Sequence, residues 1–303
     1  MSGRLTVTFW GVRGSHPAPG SLTTRIGGNT SCIQVQAGDH LILLDAGTGA
    51  IELGRSLAAA SRVGGKPVAA TLLFTHTHHD HTQGFPFFTP AFSQTSTFYI
   101  FGPKTLHQDL EEVLSRTMMP PVFPITLDEL PCERVVRNLH EGEVIVLNAD
   151  DYEPRVFKAE RESPPESRDL VHIHVMRSYA HPQGVFFYRI EHGDKAMVLA
   201  TDTEGYLGGD QRLIHFARGA QLLIHDAQYT DEEYRSPSSP RQGWGHSTWQ
   251  MAVEVAGAAG IKRLALFHHD PAHSDELLTE LERQAKAAFP QTVMACEGMT
   301  IEL

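Results

Sequence analysis

No stretch of this chain reaches the roughly 18 apolar residues that a membrane-spanning helix requires. The opening residues MSGRLTVTFWGVRGS also lack an apolar run behind a basic start. Both absences set the expectation of a cytoplasmic protein with no membrane role. Cysteine is scarce. Cys32, Cys132 and Cys296 are odd in number, far apart and form no CxxC pair, which excludes a disulfide framework or a cysteine zinc site and leaves buried free thiols. Positive charge is short as well, with 25 Lys plus Arg against 36 Asp plus Glu and a formal net charge of −11. That sign is wrong for a protein that holds long nucleic acid through many phosphate contacts. Repeats and low-complexity linkers are absent too, so 303 residues with 41% hydrophobic content read as one elaborate domain, residues 1–303, around a large core.

Histidine is what the chain has in excess, 18 residues, which turns attention to metal ligation or proton transfer. The first part reads as strands, LTVTFWGV, then CIQVQA and HLILLDA joined at Gly38-Asp39. Residues 51–62 carry apolar positions at helical spacing, and VAATLLFTH is a short apolar strand that ends in histidine. TFYIFGP and a helix over LHQDLEEVLSRTMM follow, then the proline-interrupted PPVFPITLDELP, which cannot be a central strand. Residues 85–132 are therefore expected to insert as a loop-and-helix lid. Strand signals return in ERVVRNL, GEVIVL, VHIHVM and the hairpin GVFFYRIEHGDKAMVLATD, which turns at Gly193-Asp194. AQLLIHDA and KRLALFHH are further strands. A helix over STWQMAVEVAGAAG is expected to open on a Ser247 and Gln250 capping box and stop near Gly260, and DELLTELERQAKAAF is a last helix. Helices interspersed with strands in both halves predict a layered α/β sandwich, two sheets face to face with helices outside.

The segment Thr75–Gly84, THTHHDHTQG, places four potential ligands within six positions at the end of an apolar strand. In extended backbone, residues two apart face the same way, so His76 and His78 can grip one metal while Asp80 and His81, past the turn, reach a second. His79 points elsewhere. A histidine-rich surface loop is the bland alternative, but such loops rarely follow an apolar strand or enclose an aspartate. Four ligands cannot complete two catalytic sites, because zinc takes about four donors per ion with one position kept for water.

The HxHxDH pattern of His76, His78, Asp80 and His81, together with the upstream LLDAGTG containing Asp45, resembles the metallo-β-lactamase superfamily. That resemblance implies a four-layer αββα sandwich of two mixed β-sheets with helices on the outer faces. It also implies a third histidine, a metal-bridging aspartate and a last histidine, which fall on His181, Asp202 and His268, with His269 as the alternative to His268. His172 and His174, alternating along a strand, read as structural. LLIHDAQY around Asp226 and GHST around His246 resemble the paired motifs of the ribonuclease Z-like branch, in which His246 protonates the departing oxygen and Asp226 holds its far ring nitrogen. The family usually has glutamate where Asp226 stands, and His246 as a mere residue before a helix is the alternative.

The resemblance implies two divalent metal ions. Imidazole-rich ligation favours zinc, with manganese as the second choice. The expected chemistry is hydrolysis by a metal-activated water, with Asp80, Asp226 and His246 as catalytic residues. The long transfer-RNA binders of the branch carry a basic arm, whereas His181 and Asp202 here are 21 positions apart and joined by a hairpin. A small or cyclic phosphodiester such as a cyclic nucleotide is therefore the expected substrate, with long nucleic acid disfavoured and a homodimer allowed. A ribonuclease Z-like RNA endonuclease, a thioester or lactone hydrolase and a metal-stabilised binding module are the competing readings. Arg13 and Arg25 sit where either could clamp a phosphate, with salt bridging as the plainer role for each.

Overall fold

The computed structural model describes residues 3–105, 108–149, 151–159 and 161–303. Its strands are β1 (Leu5–Gly11), β2 (Cys32–Ala37), β3 (His40–Leu44), β4 (Ala69–Leu73), β5 (Thr97–Pro103), β6 (Glu133–Leu139), β7 (Glu143–Asn148), β8 (Asp151–Lys158), β9 (Val171–Ser178), β10 (Val185–His192), β11 (Lys195–Ala200), β12 (Leu222–Asp226), β13 (Arg263–Phe267), β14 (Thr292–Met294) and β15 (Thr300–Glu302). The helices are α1 (Gly49–Gly64), α2 (His79–Thr82), α3 (Leu110–Thr117), α4 (Gln211–Ala217), α5 (Asp231–Tyr234), α6 (Trp249–Ala259) and α7 (Asp275–Ala288). One sheet has seven strands in the order β15-β1-β2-β3-β4-β5-β6, and the other has eight in the order β14-β13-β12-β11-β10-β9-β7-β8. Both are mixed. Strands β3 to β6 run parallel, as do β11 to β14, and the remaining neighbours are antiparallel.

Three apolar clusters fix the order of layers. The alternating strand β1, buried at every second residue, contributes Leu5, Val7 and Phe9 to a cluster that also holds Tyr188, Leu199 and Ile224 of the opposite sheet. That cluster lies between the sheets. A second cluster joins the outward residues Val198, Leu223 and Leu264 to Leu213, Ala252 and Leu278 of α4, α6 and α7. The third joins Leu43, Leu72 and Ile100 to Leu53 and Leu114 of α1 and α3. Each sheet is thus apolar on both faces and covered by helices outside, the αββα arrangement, with every buried Leu, Ile or Phe contributing roughly 1.5–3 kcal/mol.

Several details differ from the sequence expectation. Residues 85–132 are not loop and helix throughout, because β5 lies within them and pairs with β4 and β6 inside the first sheet. Its TFYIFGP residues are too apolar to leave the core. Helix α3 starts at Leu110, after Glu112 accepts a hydrogen bond from Asp109 N at 2.9 Å, and Leu106 and His107 of the expected helix lie outside the described residues. Helix α6 starts at Trp249 behind Thr248, without the Ser247 and Gln250 capping box. Ser247 is drawn inward instead, its hydroxyl donating to Thr203 O at 2.5 Å. β8, a strand for which the sequence sets no expectation, contains Pro154 and lies at the sheet edge, where a missing N–H is tolerated. Among the described residues, no helix is long and apolar enough to cross a membrane.

Candidate metal centre

Parallel strands β3 and β4 of one sheet and β11, β12 and β13 of the other deliver the polar side chains from their carboxyl ends, where open α/β sheets place their ligands. Asp45 follows β3, His76 and His78 follow β4, Asp202 follows β11, Asp226 ends β12 and His268 follows β13. His78 is still extended, at φ −64 and ψ 157, and α2 then coils so that Asp80 and His81 turn back under it. His181 comes from the loop between β9 and β10. Asp45 (φ 59), Asp202 (φ 53) and His268 (φ 62) all occupy the left-handed region. For non-glycine residues this costs on the order of 1–3 kcal/mol each and persists only where the surroundings hold it.

The structure brings together all seven residues expected as ligands. His76, His78 and His181 form one group, and Asp80, His81, Asp202 and His268 another, the ligand atoms of each lying within 4.8 Å of one another. Asp202 joins them. Its Oδ1 is 3.7 Å from His76 Nε2 and 3.9 Å from His181 Nε2, while its Oδ2 is 3.2 Å from His81 Nε2. The donor set fits divalent cations. His181 Nε2 faces His78 Nδ1 at 3.1 Å, His81 Nε2 faces His268 Nε2 at 3.2 Å, and buried His76 Nε2 has no hydrogen-bond partner. Lone pairs opposed in this way repel unless a proton or a cation lies between them.

Outer contacts orient the rings, as they do in metal sites generally. Asp45 Oδ2 is 2.8 Å from His81 Nδ1, and Thr75 Oγ1 is 3.1 Å from His76 Nδ1. Gly245 O accepts from His181 Nδ1 at 3.1 Å, and Gln228 Oε1 accepts from His268 Nδ1 at 2.9 Å. Ser15 N donates to Asp80 Oδ2 at 2.7 Å. Of these partners, only Asp45 drew notice in the sequence. Gln228 stands two residues after Asp226 at a strand end, a signal that could have found it, whereas nothing in the sequence marks Ser15.

The two groups differ electrostatically. Burial lowers the pKa of His76, His78 and His181, so their rings stay neutral with lone pairs available. Burial also disfavours charge on His81 and His268, but there Asp202 and its neighbouring carboxylates win, raising His81 well above its ordinary value and His268 to about 9. Asp80 and Asp202, despite burial, are held well below the usual carboxylate range by these histidines. A cation entering the second group must therefore displace protons.

His246 lies against both groups, its ring centre 5.1 Å from that of His181 and 5.0 Å from that of His268, on which it stacks. Its Nδ1 is 2.8 Å from Asp226 Oδ2, so the shorter aspartate makes the contact directly. Asp226 is fully buried and also accepts from Asp202 N, Gln228 N and Ser247 N. Those bonds lock the carboxylate that holds His246.

Other candidates point away. His269 turns its Nε2 to Ala295 O at 2.9 Å, and burial pushes its pKa down to about 3. His79 is exposed, and His172 bonds Pro165 O. Arg13 is neither a clamp nor a surface salt bridge, because it is completely buried and donates to the carbonyls of Gly27, Asp270 and His273. Arg25, itself exposed, pairs with buried Asp275 and exposed Glu276. Gly14 supports the centre through its lack of a side chain, since a Cβ there would lie 2.3 Å from His268 Cε1. Gly14→Ala is expected to displace that ring and weaken metal affinity about 10- to 100-fold, measured by competition with a chromogenic chelator.

The model for the beta-lactamase superfamily domain matches residues 40–269. Ribonuclease Z of Gemmatimonas aurantiaca is 25% identical over 329 residues, covering 99% of this chain and 96% of that protein. Among solved structures, the metallo-beta-lactamase fold protein YhfI of Bacillus subtilis aligns with a TM-score of 0.66 at 19% identity, over 99% of this chain and 100% of that one. The short form of human tRNase Z gives a TM-score of 0.60 at 21% identity, over 98% of each chain.

Proposed function

This chain belongs to the beta-lactamase superfamily and resembles ribonuclease Z along its length, and from that premise we propose that it is a phosphodiesterase acting on small or cyclic phosphodiesters. The coarser statement, a metal-dependent hydrolase, rests on the family and on the clustered histidines and carboxylates. The observation that carries the finer one is the His246–Asp226 pair beside the donor groups. A thiolate leaves a thioester without protonation, whereas the alkoxide leaving a phosphodiester needs a proton, so a separate donor is useful to a diesterase and superfluous to a thioesterase.

His76, His78 and His181 would hold one divalent ion, Asp80, His81 and His268 the other, and Asp202 would span them. Zinc suits five imidazoles and two carboxylates, with manganese as the alternative. Such ions supply an acidified water as nucleophile and neutralise phosphoryl oxygens. The chain's own residues do the rest. Asp226 keeps a proton on His246 Nδ1 and orients the ring, and His246 Nε2 gives a proton to the departing oxygen. Asp80, fixed by Ser15 N, shapes the second position.

The relatives named ribonuclease Z make RNA the competing substrate. The small-substrate reading is supported by the net charge of −11 and by the β10–β11 hairpin that takes up the chain between His181 and Asp202. Three free cysteines are in keeping with a cytoplasmic setting. Metal-loaded protein should be assayed on cyclic nucleotides, linear dinucleotides, structured RNA and a thioester. We expect kcat/KM on a small diester to exceed that per scissile bond of RNA by about tenfold or more. Preference for RNA, or turnover of the thioester alone, overturns the reading.

A further inference from the structure

A cleft of about 880 Å³ opens beside the metal centre, reaching from His78 to Leu139 and His140. Its size is that of a small-ligand pocket and exceeds what a phosphodiester group alone would fill. Besides His78, three basic side chains line it, Lys104, His140 and Arg177. Two of these three already face acid, since Lys104 Nζ is 2.8 Å from Asp109 Oδ1 and His140 Nδ1 is 3.7 Å from Glu143 Oε1.

Arg177 differs. Among the described residues, no carboxylate pairs with its guanidinium. Nη2 donates to Lys104 O at 3.2 Å, and Nε is buried without a partner. The guanidinium carbon lies 5.1 Å from the ring centre of Phe186 and 5.7 Å from that of Tyr179. A partly buried cation with unfilled donors costs free energy that an anion in the cleft would offset. Its planar fork matches phosphate geometry through paired hydrogen bonds. Placement is rigid, because Arg177 lies on β9 one residue from its end, just before the loop that carries His181. It also lines a narrow recess together with His76 and His78.

The residues that would hold the metal ions would also serve the scissile phosphoryl group, which leaves Arg177 for a different anion of the same molecule. We propose that Arg177 is a specificity residue that binds a second phosphate of the substrate, so that the preferred diester carries a phosphate monoester within reach of the cleft. This rests on the phosphodiesterase reading given above.

The test uses two chromogenic esters, the p-nitrophenyl ester of thymidine 5′-phosphate and the same ester bearing a 3′-phosphate, on metal-loaded wild type, Arg177→Gln and Arg177→Lys. For wild type we expect a KM at least tenfold lower for the doubly phosphorylated ester. Arg177→Gln should erase that difference with kcat within about twofold, and Arg177→Lys should restore part of it, because charge is kept while the fork is lost. Equal KM values in wild type, or a KM raised alike for both esters in Arg177→Gln, overturns the proposal. If neither ester is cleaved, the phosphodiesterase reading fails, and calorimetry decides the subsite. Thymidine 3′,5′-bisphosphate must then bind wild type at least tenfold more tightly than Arg177→Gln, with thymidine 5′-phosphate unaffected. Equal affinities for the bisphosphate overturn the proposal.

Discussion

His246→Ala is expected to lower kcat about 100- to 10,000-fold on a diester with an alkoxide leaving group while metal content stays at the wild-type level. The ring belongs to neither of the two ligand groups, its Nδ1 is committed to Asp226 at 2.8 Å, and one of its nitrogens lies within 4.8 Å of ligand atoms of His181 and Asp202. A proton donor matters in proportion to the basicity of what departs. On bis-p-nitrophenyl phosphate, whose p-nitrophenolate leaves without protonation, the same variant should lose less than about tenfold. The contrast between the two substrates separates proton donation from any general disturbance of the centre. Loss of metal with activity retained, or equal losses on both substrates, rules out the donor role.

Asp202→Ala should lose both ions and at least about a thousandfold in kcat/KM, since several kcal/mol of charge stabilisation goes with them. Asp80→Ala should lose only the ion near His81 and His268, because the group of His76, His78 and His181 does not include it. Metal content measured by emission spectroscopy distinguishes the two outcomes. Thermal melting gives a second readout. Ligand that binds only the folded state stabilises it, so the gap in Tm between metal-loaded and chelator-treated protein should vanish in Asp202→Ala and shrink in Asp80→Ala. Acidification should act in the same order on wild type. With His268 at about 9 and His81 also raised, protons compete with metal at that group already near neutral pH, and its affinity falls as pH falls. At His76, His78 and His181 the lowered values delay competition to lower pH. Asp80→Ala with both ions intact would contradict this division.

Much of the centre was legible because its chemistry is local or ordered. THTHHDHTQG shows four donors in one short segment, and an apolar run before it announces a strand end. His181, Asp202, Asp226, His246 and His268 each follow or end an apolar stretch or sit in a short motif, so their order along the chain could be matched to a resemblance. Less was legible wherever a residue's role depends on what surrounds it. Arg13 looks like any arginine near a glycine-rich turn, yet three carbonyls from distant segments enclose it. Ser247 looks like a helix cap, yet the Thr203 carbonyl draws it away.

The chain's linear pattern was enough to specify alternating strands and helices, the strand-end histidines and a shortage of basic charge, because periodicity, turn residues and ligand types are properties of neighbours. Beyond a preference for His268 that rests on resemblance, it had no physical ground to tell His268 from His269. Only the packing of the two sheets separates them, since it turns His268 toward Asp80 and Asp202 and sends His269 to the Ala295 carbonyl. The same packing leaves Arg177 without an acid and closes His246 onto Asp226. Such contacts join residues far apart in sequence, and their geometry is set by how two surfaces interdigitate across the core.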